Sequence, residues 1–213
     1  MNSAVPKQFM LLCGKPIVIR TMEAFRAAIP DIQIIVVLAK DLQEEFVELN
    51  KMYLMDKNTR LTIGGETRFH SVKNGLALVP EDAIVGIHDA ARPLVSEKTI
   101  VSCFANAEQK GNAIPCISIT ESIRMLEGES NKAVDRNKFV IAQTPQCFIS
   151  NEIHKAFEQD YSPLFTDDAS VYEANGGKIH LVEGNKENIK ITTPSDLLIA
   201  EMLLKSSDTF NLS

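Results

Sequence analysis

Hydrophobic positions along the chain alternate between two periods. Pro16 to Ala28 carries apolar residues at helical spacing, with proline in the first turn, where its missing N–H costs nothing. An apolar run at Ile32 to Ala39 reads as a buried strand, Asp41 to Tyr53 as a helix, Leu61 to Ile63 as a short strand and Arg68 to Val79 as another helix. Ala83 to His88 is again apolar and stops abruptly at Asp89, with Arg92 three residues on. Ser96 to Gln109 is an amphipathic helix with Ser96 at its N-cap, and Ala113 to Ile119 is the next strand. From Thr120 to Gln143 polar and charged residues alternate with Ile123, Met125, Val134, Phe139 and Ile141 around a Gly128-Glu129-Ser130-Asn131 turn, a hairpin too polar to be core. A lone hairpin is marginal in water, so it leans on the domain body or on a second subunit. Helices at Asn151 to Gln159 and Asp167 to Asn175, strands at Lys178 to Val182 and Asn188 to Thr192, and a helix at Pro194 to Lys205 complete the pattern, and the last eight residues read as a frayed tail.

Alternating helical and strand periods predict an α/β layer fold, and 213 residues suit one domain over about residues 1–205. A hydrophobic fraction of 45% and a charged fraction of 23% are those of a soluble globular protein. No apolar stretch is long enough to span a bilayer and no signal-peptide pattern opens the chain, so the expected compartment is the cytoplasm. Cys13, Cys103, Cys116 and Cys147 are scattered without metal-site spacing and read as reduced, mostly buried residues. A net charge of -6 argues against nucleic-acid binding but leaves room for a small anionic ligand held by a few local cations.

Candidate chemistry sits at the ends of the predicted elements. Asp89 and Arg92, at a strand's carboxyl end, either form an ion pair or face the crevice where open α/β sheets hold a metal or a hydroxyl. Gly64-Gly65 before the Arg68 helix is a turn, or lets a nucleotide reach backbone N–H groups, Arg68 and the Ser71 hydroxyl. Lys7 stands just ahead of the first helix, where a lysine can hold a phosphate. Arg136 lies on the hairpin, Thr144 at its exit and Lys190 on the predicted strand before the last helix. Thr166, ahead of Asp167 and Asp168, reads first as a helix N-cap, a role that leaves its hydroxyl open to ligand contact.

The order of these blocks is specific where each alone is not. Pro6-Lys7-Gln8-Phe9, Gly64-Gly65 with Arg68 and Ser71-Val72, His88-Asp89-Ala90-Ala91-Arg92-Pro93, Asp135-Arg136, Gln143-Thr144-Pro145-Gln146, Thr166-Asp167-Asp168-Ala169-Ser170 and Asn188-Ile189-Lys190-Ile191-Thr192 resemble the 2-C-methyl-D-erythritol 4-phosphate cytidylyltransferase family from Met1 to about Lys205. The resemblance implies a Rossmann-like nucleotidyltransferase fold, mostly a parallel sheet flanked by helices, with a β-hairpin arm at about residues 120–143 for dimerisation. It implies transfer of CMP from CTP to the polyol phosphate with release of pyrophosphate, in non-mevalonate isoprenoid biosynthesis. It gives Lys7 and Lys190 to the α-phosphate, Asp89 to a Mg²⁺ ion on the triphosphate, and Gly65, Arg68, Ser71, Ala90 and Arg92 to the CTP pocket. Arg136, Thr144 and Thr166 match positions for the methylerythritol phosphate, with Arg136 reaching the neighbour's site in a homodimer.

Two departures stand out. Glu121-Ser122-Ile123-Arg124 replaces the usual Asp-Thr-apolar-Lys, with Ser122 keeping the hydroxyl and Arg124 the charge. Relatives also begin with an apolar strand and a glycine-rich phosphate loop ahead of the point where Met1 stands, so the expectation is that the sequence starts at an internal methionine and leaves strand edges and apolar surface uncovered. Two alternatives remain open: a ribitol 5-phosphate cytidylyltransferase, which usually has Ala-Val where this chain has Ala90-Ala91, and a catalytically silent, dimeric nucleotide-fold protein.

Overall fold

The computed structural model describes residues 6–53 and 57–210. A 3-10 turn at Lys7–Phe9 leads into a small hairpin, β1 (Leu11–Leu12) and β2 (Lys15–Pro16), and then α1 (Ile17–Ala28). Cys13 and Gly14 turn that hairpin with positive φ, which leaves Cys13 exposed, unlike the buried Cys103 and Cys147; Cys116 is half-buried, and all four thiols are free. β3 (Ile34–Leu38), α2 (Gln43–Met52), β4 (Thr59–Ile63), α3 (Arg68–Leu76) and β5 (Ile84–Ile87) follow, each within the segment its periodicity predicts or a few residues from it. Next come α4 (Glu97–Lys110), capped by the Ser96 hydroxyl on the Thr99 N–H as expected, and β6 (Asn112–Ser118).

The polar segment forms β7 (Arg124–Glu127) and β8 (Ser130–Ala133), a two-residue hairpin whose first loop residue, Gly128, has φ +60°, as the primed hairpin turns require. The chain returns through β9 (Val140–Ala142) to β10 (Gln146–Ile149), then α5 (Ser150–Ala156), α6 (Asp168–Ala174), β11 (Leu181–Glu183) and α7 (Pro194–Phe210). α7 runs past Lys205, so residues 206–210 are helical where the sequence pattern ends the helix; the Ser206 hydroxyl stays on helical carbonyls of Met202 and Leu203. The rest of the expected tail, residues 211–213, lies outside the described residues, as does Met1. The strand expected at Asn188–Thr192 does not form. Its main-chain tie to the Asp89–Arg92 turn is a bond from Ile191 N–H to the Ala91 carbonyl, and its polar side chains reach sideways into the site instead.

The fold is α/β with mixed strand pairing. β3 and β4 run parallel, as do β6 and β11, whereas β10 lies antiparallel between β5 and β6 and β9 pairs antiparallel with β6. β5, β6 and β11 therefore share one direction, with the returning β10 inserted against them. On one side of the five-stranded sheet Phe69, Phe148 and Phe157 anchor the largest core cluster, and the Phe69 and Phe157 rings stack with centroids 4.7 Å apart. A second cluster packs α1 through Val18 and Met22 against Val36, Leu38 and Phe46, and it includes Phe9 from the first turn. Burying such side chains is worth about 1.5–3 kcal/mol each and fixes α1 against β3.

Among the described residues β3 pairs only with β4 and β5 only with β10. A slot of about 660 Å³ separates β3 from β5, lined by both strands and by apolar side chains of α1 and α3. Arg68 and Asp89 stand at the mouth of this slot and also border a second, polar cavity.

Candidate active site

The polar cavity is built at the carboxyl end of β5. The register that sets Ile87 opposite Gln146 carries the chain on to Asp89 beside Thr144, whose hydroxyl accepts the Asp89 N–H at 3.2 Å. Asp89 and Arg92 then close a tight turn, Arg92 N–H to the Asp89 carbonyl at 3.0 Å, with the small Ala90 and Ala91 at its centre. Thr21 on α1 donates its hydroxyl to the Ala90 carbonyl at 2.9 Å, which ties the turn to the second core cluster.

Three cations converge on the Asp89 carboxylate, which is only 15% exposed. Lys190 Nζ lies 3.0 Å from Oδ2, Arg92 Nε 3.3 Å from the same oxygen, and Arg68 Nε 3.7 Å from Oδ1. Burial pushes the Asp89 carboxyl up, but Lys190, then Arg68 and Arg92, outweigh it and hold the group below its ordinary value. Arg92 also donates to the Asn188 carbonyl at 2.8 Å, and the buried Asn188 amide donates to the Thr144 carbonyl at 2.8 Å. These bonds take the place of the expected strand at Asn188–Thr192 and deliver Lys190 to the cavity.

Arg68 projects from the first turn of α3 and grips Asp168 with both guanidinium arms, Nη1 to Oδ1 at 2.8 Å and Nη2 to Oδ2 at 2.6 Å. Asp168 is fully buried, and burial, foremost, with the nearby acids Asp167 and Asp89 raises its carboxyl pKa against the opposing pull of Arg68. Burial also works against the Arg68 charge, yet the Asp168 contacts win and Arg68 stays cationic. Such a planar fork fixes the arginine's direction as well as its charge, which a lysine could not do. The neighbouring acid does different work. Asp167 is the N-cap of α6, its Oδ1 accepting the Ser170 N–H at 2.9 Å while the Ser170 hydroxyl closes a capping box. Its Oδ2 accepts from Gln146 Nε2 at 2.7 Å. The cap expected at Thr166 is therefore one residue later, and the Thr166 hydroxyl is left facing the cavity.

The cavity encloses about 170 Å³, lined by Arg68, Asp89, Arg92, Thr144, Thr166 and Lys190 together with Gln143, Gln146 and Asp167. A small polar volume with three cations around one acid is suited to phosphate oxygens, which can take over the cations that Asp89 now shares. The chain matches the family described as IspD, 2-C-methyl-D-erythritol 4-phosphate cytidylyltransferase, over residues 1–206. It belongs to that family.

A 2-C-methyl-D-erythritol 4-phosphate cytidylyltransferase of Bacteroides fragilis is 48% identical over 204 residues, covering 96% of this chain and 93% of the relative. The enzyme of that name from Porphyromonas gingivalis is 45% identical over 207 residues, covering 97% and 92%. Among solved structures, the Thermus thermophilus cytidylyltransferase superposes with a TM-score of 0.79 at 29% identity over 94% of each chain, and the Francisella tularensis one with 0.78 at 32% over 93% of each.

The cytidylyltransferase positions marked in the sequence do not all meet within this chain. Arg68, Asp89, Arg92, Thr144, Thr166 and Lys190 converge, and Ala90 and Ser71 line the adjoining slot. Gly65 donates its N–H to the Ser71 hydroxyl at 3.0 Å, and a Cβ there would lie 2.4 Å from that of His70, so the start of α3 packed against it already demands glycine. Lys7 is exposed on the first turn, outside the cavity lining, although Phe9 on that turn packs in the cluster that Ala90 joins. Ser122 and Arg136 are exposed on the arm, where Arg136 donates to the Thr120 carbonyl. Asp168, Gln146, Asn188 and His88 lie within the motif blocks, but the sequence gives them no individual role, because contacts such as Arg68 to Asp168, 100 residues apart, leave no local signal. Among the described residues no group of three or more histidine, cysteine or acidic side chains is gathered as a protein-only metal site.

Replacing Asp168 by Asn removes the charge that Arg68 grips. Urea unfolding of Asp168→Asn is expected to give a loss of about 2–3 kcal/mol, below the figure for a fully buried pair because 37% of the Arg68 side chain stays exposed. A change under about 0.5 kcal/mol would show that the fork contributes no more than an ordinary surface contact.

Proposed function

We propose that this chain transfers CMP from CTP to 2-C-methyl-D-erythritol 4-phosphate and releases pyrophosphate. The carrying observation is the convergence of Lys190, Arg92 and Arg68 on Asp89 in a polar cavity that also presents Thr144 and Thr166. In this reaction an oxygen of the polyol phosphate attacks the α-phosphorus of CTP, a P–O bond forms, and the bond to the β-phosphate bridging oxygen breaks as pyrophosphate leaves. No proton need be taken from an alkyl hydroxyl, so the protein's task is to align the two phosphates and stabilise the charge on the five-coordinate phosphorus.

Lys190 is placed for that task. Its Nζ is held 3.0 Å from Asp89 but its side chain is 46% exposed, so it can swing to a phosphate oxygen while Arg92 and Arg68 stay on the buried Asp89. Lys7, on the exposed first turn, supplies the second cation on the α-phosphate. Arg68 stays fixed by Asp168 and Arg92 by the Asn188 carbonyl, and these two form the immobile part of the anion site. Asp89 would hold a Mg²⁺ ion through its carboxylate. When bound, Mg²⁺ supplies further neutralisation of the triphosphate.

The arm carries the proposal of a homodimer. Every residue of β7 and β8 is exposed, and Leu126, Phe139, Val140 and Ile141 place apolar side chains on the surface of the arm and its return strand. A second copy of the chain packed there covers this surface and brings Arg136 to the neighbouring cavity, where it joins Thr144 and Thr166 around the polyol phosphate. No helix among the described residues is long and apolar enough to cross a membrane, and we place the enzyme in the cytoplasm.

A CMP-transfer assay with CTP and Mg²⁺, run separately on methylerythritol phosphate and ribitol 5-phosphate, is expected to give product with the first. Product with ribitol phosphate alone overturns the substrate assignment. In the same assay Lys190→Ala and Lys7→Ala should each lower kcat by about 100-fold or more, the scale of losing one transition-state contact. Unchanged kcat in both would remove them from the α-phosphate.

Sedimentation of the wild-type protein should give a dimer, and Leu126→Asp with Phe139→Asp should weaken self-association at least about tenfold and reduce transfer with it. A wild-type monomer with full activity would contradict the arm's role.

A further inference from the structure

His88 is the one ring at the carboxyl end of β5 that touches both halves of the site, and nothing in the reaction described above uses it. Its Nε2 lies 3.1 Å from the Arg92 carbonyl oxygen and its Nδ1 2.9 Å from the Thr144 hydroxyl. The Phe25 ring of α1 meets it edge to face, with centroids 4.9 Å apart and planes at 66°. A carbonyl only accepts, so Nε2 carries a proton, and in the neutral ring Nδ1 is then bare. The Thr144 hydroxyl must then donate to Nδ1, and its oxygen is free to accept the Asp89 N–H at 3.2 Å. Every proton in the chain from Arg92 to Asp89 is thereby assigned a direction.

We propose that His88, as the neutral Nε2–H tautomer, is a positioning residue for the transfer reaction, holding the Asp89–Arg92 turn with one nitrogen and orienting the Thr144 hydroxyl with the other. The inference rests on the reaction proposed above and deepens it. With its proton committed to His88, Thr144 offers the cavity an acceptor lone pair, which suits a hydroxyl of the polyol and not a phosphate oxygen. The ring is half-buried, with one side bordering the slot and Phe25 packed edge-on against it, so the Arg92 carbonyl and the Thr144 hydroxyl are its polar contacts.

Three variants separate the two arms. His88→Phe keeps a ring against Phe25 and loses both hydrogen bonds, His88→Asn retains an acceptor near the Nδ1 position, and His88→Gln retains a donor near the Nε2 position. Steady-state kinetics of His88→Phe should show kcat/KM lowered by about 100-fold, the cost of misplacing reacting groups by about an ångström. His88→Asn should restore the KM for polyol phosphate to within about threefold of wild type while kcat stays low, and His88→Gln should recover kcat while that KM stays high. If all three variants lose activity only in proportion to lost fold, as read by thermal melting, or if His88→Phe keeps kcat and KM within about twofold, the positioning role is wrong. Long-range ¹⁵N–¹H correlation spectra of the histidine-labelled wild-type protein read the tautomer without reference to activity. A protonated Nε2 with a bare Nδ1 is expected, and a protonated Nδ1 would overturn the inference even if CMP transfer proceeds as proposed. Absence of CMP transfer alongside the expected tautomer would instead place the error in the reaction.

Discussion

One carboxylate holds the site together. Lys190, Arg92 and Arg68 reach Asp89 from the segment before α7, from the turn after β5 and from the start of α3, and without the acid three positive groups would face one another across a cavity of about 170 Å³. Like charges that close repel by more than a single hydrogen bond restores. The surrounding bonds all serve to keep Asp89 where the cations can share it. Thr144 takes its N–H, Thr21 and Ile191 hold Ala90 and Ala91 behind it, and β5 is fixed in register against β10.

The cations are not equivalent, and their difference is what links structure to chemistry. Arg68 is locked in a bidentate grip on a fully buried acid, and Arg92 is locked on a backbone carbonyl. Lys190 is the most exposed of the three side chains and makes the shortest contact to Asp89. In the proposed reaction a rigid pair of guanidiniums sets where phosphate oxygens sit, and a movable ammonium follows charge as it develops. The same contrast runs through the acids, since Asp167 caps a helix and supports Gln146 while Asp168, its neighbour in sequence, disappears into the core to aim Arg68.

The α/β class and most element positions were legible because apolar periodicity survives in a single sequence. Ser96 announced its cap, the polar stretch after Thr120 announced an exposed arm, and the apolar run ending at Asp89 announced a site at the end of β5. Legibility failed where side chains do the work of the backbone. Asn188 to Thr192 has the pattern of a strand, yet the Asn188 amide and the Arg92 guanidinium take its hydrogen bonds. Lys178 to His180 likewise gives up ladder bonds to the Asn112 side chain, so β11 begins only at Leu181. The doubled acid at Asp167-Asp168 looked like first-turn helix charge, because its partner Arg68 is remote in sequence and only the folded chain brings them together. His88 looked like the end of a strand for the same reason.

Central to this account is that the Asp89–Lys190 contact is a resting arrangement that nucleotide phosphate takes apart. A crystal structure with a non-hydrolysable CTP analogue and Mg²⁺ tests this most directly. The prediction is a triphosphate in the polar cavity beside Arg68 and Arg92, with Lys190 Nζ moved from Asp89 to an α-phosphate oxygen. A nucleotide bound with the 3.0 Å Lys190–Asp89 contact intact, or with its phosphates outside the cavity, would contradict it.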